Sequence, residues 1–208
     1  MLLAAIGDPS GADPPHYTLC IEILIVCTAN TCRSPMAEAL LDRRLTERGL
    51  DVGVSSAGLL YDGEPATVTG VDTMAAWGLD TSGHRSRRIN AEMLDHADLI
   101  VGMARYHVRE AVVLRFDLYP RTFTLKELVR RGLAVGPRSE GEPFDEWLAR
   151  VHHGRRPTEQ LGESLADDVA DPVGQAPPVY EHTAHELDHL TSQLVDLLWD
   201  PVRSSTPA

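Results

Sequence analysis

The chain changes character abruptly at residue 27. A strand-length apolar run, LCIEILIV at 19–26, ends at a short polar loop, Cys27-Thr28-Ala29-Asn30-Thr31-Cys32-Arg33. Ser34-Pro35 follows, after which Ala37, Leu40, Leu41 and Leu45 recur at helical spacing until Gly49. The β-branched run reads as a buried strand, and Ser34 and Pro35 read as the cap and first residue of a helix. Strand, tight loop and helix in that order form the opening unit of an α/β domain with a parallel sheet. Ligands of such sheets sit at the carboxyl ends of the strands, where the 27–33 loop falls.

The rest of the chain continues the alternation. Short strands are expected at 51–56, 98–102 and 121–124, and helices at 66–77, 90–96, 104–115 and 125–131. The last helix, 178–199, places Tyr180, Ala184, Leu187, Leu190, Leu194 and Leu198 on one face. Residues 1–18 and 201–208 read as tails, the first of them flexible, around a single domain at 19–200. Within it, 136–168 is rich in Gly, Pro and charged residues and reads as a long surface insertion with one helical piece near 143–151.

Charge narrows the function classes. Nineteen basic against 31 acidic residues give a net charge of −12. No general basic face for nucleic acid or an anionic membrane is expected, and no apolar run approaches the ~20 residues that span a bilayer. An anionic ligand must be drawn by a local site. The three cysteines, Cys20, Cys27 and Cys32, cluster near one end, which is not the spread of a disulfide-stapled secreted domain. With no signal-peptide pattern at the N-terminus, a cytoplasmic protein is expected.

The loop itself carries chemistry. Backbone N–H groups of a tight loop before a helix can cradle a phosphate-like anion, helped by the helix N-terminus. The same field favours a Cys27 thiolate, and the Arg33 guanidinium can bind two phosphoryl oxygens in a fork. The Ser34 hydroxyl can donate to the sulfur. With neither Lys nor Walker-spaced glycines, the loop does not fit nucleotide binding. A displaced oxygen or guanidine leaves more easily when protonated, so an acid must reach over the cysteine. Asp171-Pro172 offers one on a stiffened loop, and spacing alone leaves Asp167 and Asp168 as competitors.

VCTANTCRSPMAEALL (26–41), SSAG (55–58), GEPA (63–66), HRSRR (84–88), ADLIVGM (97–103) and ADP (170–172) resemble the low-molecular-weight protein tyrosine phosphatase family. The resemblance covers most of 19–199. It implies a flavodoxin-like three-layer α/β fold: a four-stranded parallel sheet with helices on both faces. It also implies a two-step phosphomonoesterase reaction on phosphoproteins through a cysteinyl-phosphate, with no metal and no cofactor. Carried over by position, Cys27 is the nucleophile, Arg33 the phosphate clamp, Ser34 the support for the thiolate, and Asp171 the general acid and then base. Asn30 holds the loop, with Ser56 and His84 steadying it. Thr28, Ala29, Thr31 and Cys32 complete the binding loop, and Cys32 matches the partner of a reversible disulfide with Cys27.

The sequence also departs from the family. Val173-Gly174 follow Asp171-Pro172, where the family usually places aromatic residues, so Tyr61 is the candidate aromatic wall of the substrate cleft. Position 31 bears on specificity. Family members acting on phosphotyrosine usually carry a bulkier aliphatic residue there, and members acting on phosphoarginine carry Thr. CTANTCRSPMAE and FTLKELV (123–129) are similar to the latter. Phosphotyrosine is the family default, and phosphoarginine the alternative.

Other classes fit less well. Arsenate reduction on this fold passes a disulfide to downstream cysteines, and none follows Cys32, which leaves only a version completed by an external thiol. His185-Glu186-Leu187-Asp188-His189 fits the H-E-x-x-H zinc pattern. However, the leucine face sends His182, His185 and His189 toward solvent, and no third His or Glu follows. A silent phospho-binding module would need neither Cys27 nor an acid.

Overall fold

The computed structural model describes residues 21–199. The tails expected at 1–18 and 201–208, and the expected strand residues Leu19 and Cys20, lie outside the described residues. Four strands, β1 (Ile21–Cys27), β2 (Val52–Gly58), β3 (Leu99–Gly102) and β4 (Thr122–Thr124), form one parallel sheet in the order β2-β1-β3-β4. The helices are α1 (Arg33–Glu47), α2 (Val68–Ala76), α3 (Ala91–His96), α4 (Arg105–Leu114), α5 (Leu125–Val135), α6 (Phe144–His152) and α7 (Pro177–Trp199). This is the parallel α/β sheet that the alternating pattern predicts, in the flavodoxin-like arrangement that the family resemblance implies.

β1 is central and apolar on both faces, as a strand covered on both sides must be. Successive side chains point to opposite faces. Ile23 and Ile25 join the larger core with Leu40, Leu41 and Leu187, while Leu24 and Val26 join Leu94, Ile100 and Ala111 on the other face. The leucine face of α7 is buried as its periodicity predicts, and its long packing against α1 closes the larger core. His182, His185 and His189 are exposed, and Glu186 pairs with Lys126 Nζ at 2.6 Å.

Two local expectations are corrected. α1 starts at Arg33, with Cys32 at the cap position and no side-chain cap, so Ser34 and Pro35 lie inside the first turn. The Ser34 hydroxyl is used on the loop side instead. The second correction concerns 136–168, which is not only a surface insertion. Its helix α6 buries Trp147 completely, with Leu148 and Val151 beside it. Trp147 packs where α5 and α7 approach at Gly132, and a Cβ there would meet Leu197 Cδ1 at 2.8 Å. Arg155, from the same segment, forms a buried two-point ion pair with Glu127 at 2.7 and 2.9 Å. Its guanidinium lies over Phe123 and Tyr119. Apolar and ionic contacts therefore tie this segment to the core, despite a loop-like composition.

Candidate active site

The 27–33 loop leaves the carboxyl end of β1 and turns directly into α1. The turn depends on Asn30, which has φ 54°, a left-handed conformation that Asn tolerates better than most residues. β2 presses close behind it. A Cβ at Gly58 would meet Asn30 N at 2.7 Å, so only glycine fits there. Leu59 N also donates to Thr28 O at 2.7 Å.

Asn30 is fully buried and uses each polar group. Its Nδ2 donates to Ser34 Oγ at 2.9 Å and to Ser56 Oγ at 2.7 Å, and its Oδ1 accepts from Arg87 N at 2.9 Å. His84 Nε2 lies 2.7 Å from the Asn30 carbonyl and must donate to it, since a carbonyl only accepts. Ser56 O–H donates in turn to Glu38 Oε2. Ser34 Oγ, accepting from Asn30, keeps its proton for Cys27 Sγ, 3.0 Å away. Asn30 N also donates to Cys27 Sγ at 3.3 Å. The hydrogen bonds thus diverge from the Asn30 amide, through Ser34 to the sulfur and through Ser56 to the Glu38 carboxylate.

Arg33 is buried and presents a spread guanidinium. Nη1 donates to Val169 O at 3.1 Å; Nη2 donates to Thr28 Oγ1 at 3.2 Å and to Asp171 Oδ2 at 2.5 Å. Asp171 is half-exposed at the cleft. The three acids that spacing left open have separate places. Asp167 is buried and bonded by Arg105 Nη2 and Arg130 Nη2, each at 2.6 Å. Burial opposes its charge, yet the hydrogen bonds from Arg105 and Arg130 hold the carboxyl below the usual carboxylate range. Asp168 accepts from Arg105 N and Ser164 N, both at 2.8 Å, and so serves the uncapped start of α4. Only Asp171 meets Arg33. Val169 N bonds Met103 O at 2.8 Å, fixing the acid loop over the end of β3.

The cleft above Arg33 has a volume of about 620 Å³ and is lined by Thr28, Tyr106, His107, Leu165, Val169 and Asp171 among others. Tyr61 is half-exposed and is not among the lining residues. The turn that carries it is drawn toward 85–88, where Gly63 N bonds Ser86 O and Arg88 N bonds Asp62 Oδ1. Tyr106 is the aromatic side chain that lines the cleft. The Cys32 side chain faces the core, with Sγ 3.8 Å from Met36 Sδ, and burial pushes its thiol up to about 12. Cys27 and Cys32 are both free thiols. Ala29 and Thr31 are partly buried within the loop, and Thr31 O accepts from Thr67 N at 2.7 Å.

Glu38, Tyr106, His107 and Val169 are not evident from the loop motif. His107 follows β3 at the ligand-binding edge of the sheet, a signal the strand pattern already contained. A buried sulfur with hydrogen-bond donors, a guanidinium fork and a carboxyl group over one cleft can take a phosphoryl group, hold its oxygens and protonate what it leaves.

Comparison with known proteins identifies the family and the fold. The family model described as low molecular weight phosphotyrosine protein phosphatase matches residues 22–134. A protein-arginine-phosphatase of Bacillus subtilis (strain 168) is 31% identical over 180 residues, covering 86% of this chain and 97% of its own. A probable low molecular weight protein-tyrosine-phosphatase, EpsP, of Ralstonia solanacearum is 35% identical over 133 residues, 64% of this chain and 89% of its own. The crystal structure of a low molecular weight protein tyrosine phosphatase from T. tengcongensis superposes with a TM-score of 0.65 at 31% identity. It covers 85% of this chain and 98% of that one. Among the described residues no helix is long and apolar enough to cross a membrane.

Proposed function

The chain belongs to the low molecular weight phosphotyrosine protein phosphatase family, and on that premise we propose that Cys27 is its nucleophile, Arg33 its phosphoryl clamp and Asp171 its acid. The observation that carries this reading is the convergence of Arg33 and Asp171, 138 residues apart in sequence, beside a cysteine supplied with its own donors. The Cys27 sulfur attacks phosphorus as the bond to the leaving oxygen breaks, and the Asp171 carboxyl gives that oxygen its proton. Asp171 then takes a proton from water as the water oxygen attacks phosphorus. The P–S bond breaks, inorganic phosphate forms, and the Ser34 hydroxyl donates to the departing sulfur.

The substrate is a phosphorylated protein or peptide, with phosphotyrosine first as the family default. Phosphoarginine is the second reading. It is supported by Thr31, whose hydroxyl suits a polar guanidinium better than an aliphatic side chain does, and by the nearly full-length match to a protein-arginine-phosphatase. The clustered cysteines support a reducing, cytoplasmic setting.

The test is kcat/KM on matched phosphotyrosine and phosphoarginine peptides, with burst release from p-nitrophenyl phosphate. The wild type is expected to show a burst, and Cys27→Ser none. Turnover by Cys27→Ser equal to wild type would sink the assignment. The better peptide names the substrate, and Thr31→Ile is expected to shift the ratio toward phosphotyrosine.

A further inference from the structure

Thr28 Oγ1 lies between two nitrogens: Arg33 Nη2 at 3.2 Å and His107 Nε2 at 3.0 Å. The first turn of α4 delivers His107 to this position, where the residue is 1% exposed. Its other ring nitrogen, Nδ1, is buried with no hydrogen-bond partner among the described residues. Thr28, Arg33 and His107 all line the cleft that Asp171 borders.

Burial, reinforced by the charge of Arg33, lowers the His107 ring to about 3, so the ring is neutral and carries one proton. The placement of that proton decides what Thr28 can do. On Nδ1 it would leave a buried N–H without an acceptor, and the Thr28 hydroxyl would turn its proton toward Nε2. On Nε2 only a ring lone pair goes unpaired. Nε2–H then fills one acceptor site of Thr28 Oγ1 and Arg33 fills the other. A buried N–H with no acceptor is the rarer and costlier arrangement. With both lone pairs of Oγ1 engaged, the hydroxyl proton cannot point at His107 or at Arg33. It remains available to an acceptor held by Arg33.

We propose that His107 is a positioning residue: its Nε2–H fixes Thr28 so that the Thr28 hydroxyl donates to a phosphoryl oxygen seated on Arg33. This rests on the reading of the 27–33 loop as the phosphoryl site. It adds a side-chain donor to that site and assigns its orientation to a residue on α4 that need not touch substrate. A neutral ring suits the role, since it holds the hydroxyl without placing a second cation beside Arg33.

Two measurements test it. In 15N-histidine-labelled protein at neutral pH, His107 is expected to show the Nε2–H tautomer, and the Nδ1–H tautomer would overturn the proposal. Calorimetric titration with inorganic phosphate, together with kcat and KM for p-nitrophenyl phosphate, then reads the coupling. His107→Ala and Thr28→Val are each expected to weaken phosphate binding about tenfold, the order of one hydrogen bond to a charged group, with KM moving more than kcat. Added to Thr28→Val, His107→Ala is expected to cost less than about twofold, because its target is already gone. His107→Gln, which can place an N–H near Nε2, is expected to recover most of the loss.

An equal cost of His107→Ala with and without Thr28, or tighter phosphate binding on its removal, would overturn the proposal. If His107→Ala does not fold, the tautomer and the Gln variant decide. The phosphate titration does not require turnover. A wild type that binds phosphate with this coupling but hydrolyses nothing would therefore fail the proposed function alone.

Discussion

Arg33 Nη2 and Asp171 Oδ2 stand 2.5 Å apart, so the acid of the proposed mechanism rests on the group that must receive the phosphoryl oxygens. Substrate must displace it. Asp171→Asn is expected to lower kcat by about 10²- to 10⁴-fold, the usual worth of a general acid. The same variant is expected to bind inorganic phosphate more tightly, because the carboxylate no longer competes for Arg33. A fall in kcat with unchanged phosphate affinity would show that the two residues do not pair at rest.

Glu38 lies at the far end of the hydrogen-bond run through Ser56, Asn30 and Ser34 to Cys27. Removing its acceptor in Glu38→Ala lets the Ser56 hydroxyl turn and compete for Asn30. A loss in kcat/KM of about tenfold is expected, on the scale of one charge-assisted hydrogen bond. Ser56→Ala should cost a similar amount, and the double variant little more than either alone. Additive losses would mean that the two act separately.

Asp167 anchors the acid loop to α4 and α5. Its carboxyl is held below the ordinary range, so it contributes stability that is present above about pH 4, the unfolded value, and is lost as pH falls through the lower folded value. Asp167→Asn is expected to lower the melting temperature at neutral pH. The variant and wild type are expected to converge as the medium becomes more acid. Melting curves that stay parallel down to strongly acid pH would count against it.

Trp147 is the largest fully buried side chain of the 136–168 segment. Trp147→Ala is expected to destabilise the protein by about 3–5 kcal/mol, as large core truncations do. Its indole also donates to Gly136 O at 3.1 Å, a bond lost with the ring. Urea denaturation reads this directly, and a change below about 1 kcal/mol would return the segment to the status of a surface insertion.

Much of this was legible because local signals and tertiary roles coincide. The β1 run is apolar because both of its faces are covered, and the leucines of α7 repeat because one face is. The 27–33 loop sits where its motif predicts, between β1 and α1. The failures have physical causes. Ser34 before Pro35 looks like a cap, but the helix starts two residues earlier than that reading, at Arg33, and the Ser34 hydroxyl turns to Cys27. Composition hid Trp147, since few buried positions suffice to hold a Gly- and Pro-rich segment. Asp167 and Asp171 are sorted only by arginines distant in sequence: Arg130 is 37 residues from the first, and Arg33 is 138 from the second. Tyr106 and His107 needed the register of α4 against the end of β3.

The distance in sequence between Arg33 and Asp171 also has a consequence for synthesis. The anion loop is local, since β1 and α1 adjoin it, whereas the acid arrives 138 residues later and α7 must still pack back on α1. Such non-local closures are slow steps of folding, and domains emerge from the ribosome N-terminus first. A nascent chain short of Asp171 contains every residue of the 27–33 loop but lacks the proposed acid. On the proposed mechanism, hydrolysis is then expected only once the C-terminal half has closed, so that the onset of activity during translation would mark completion of the fold.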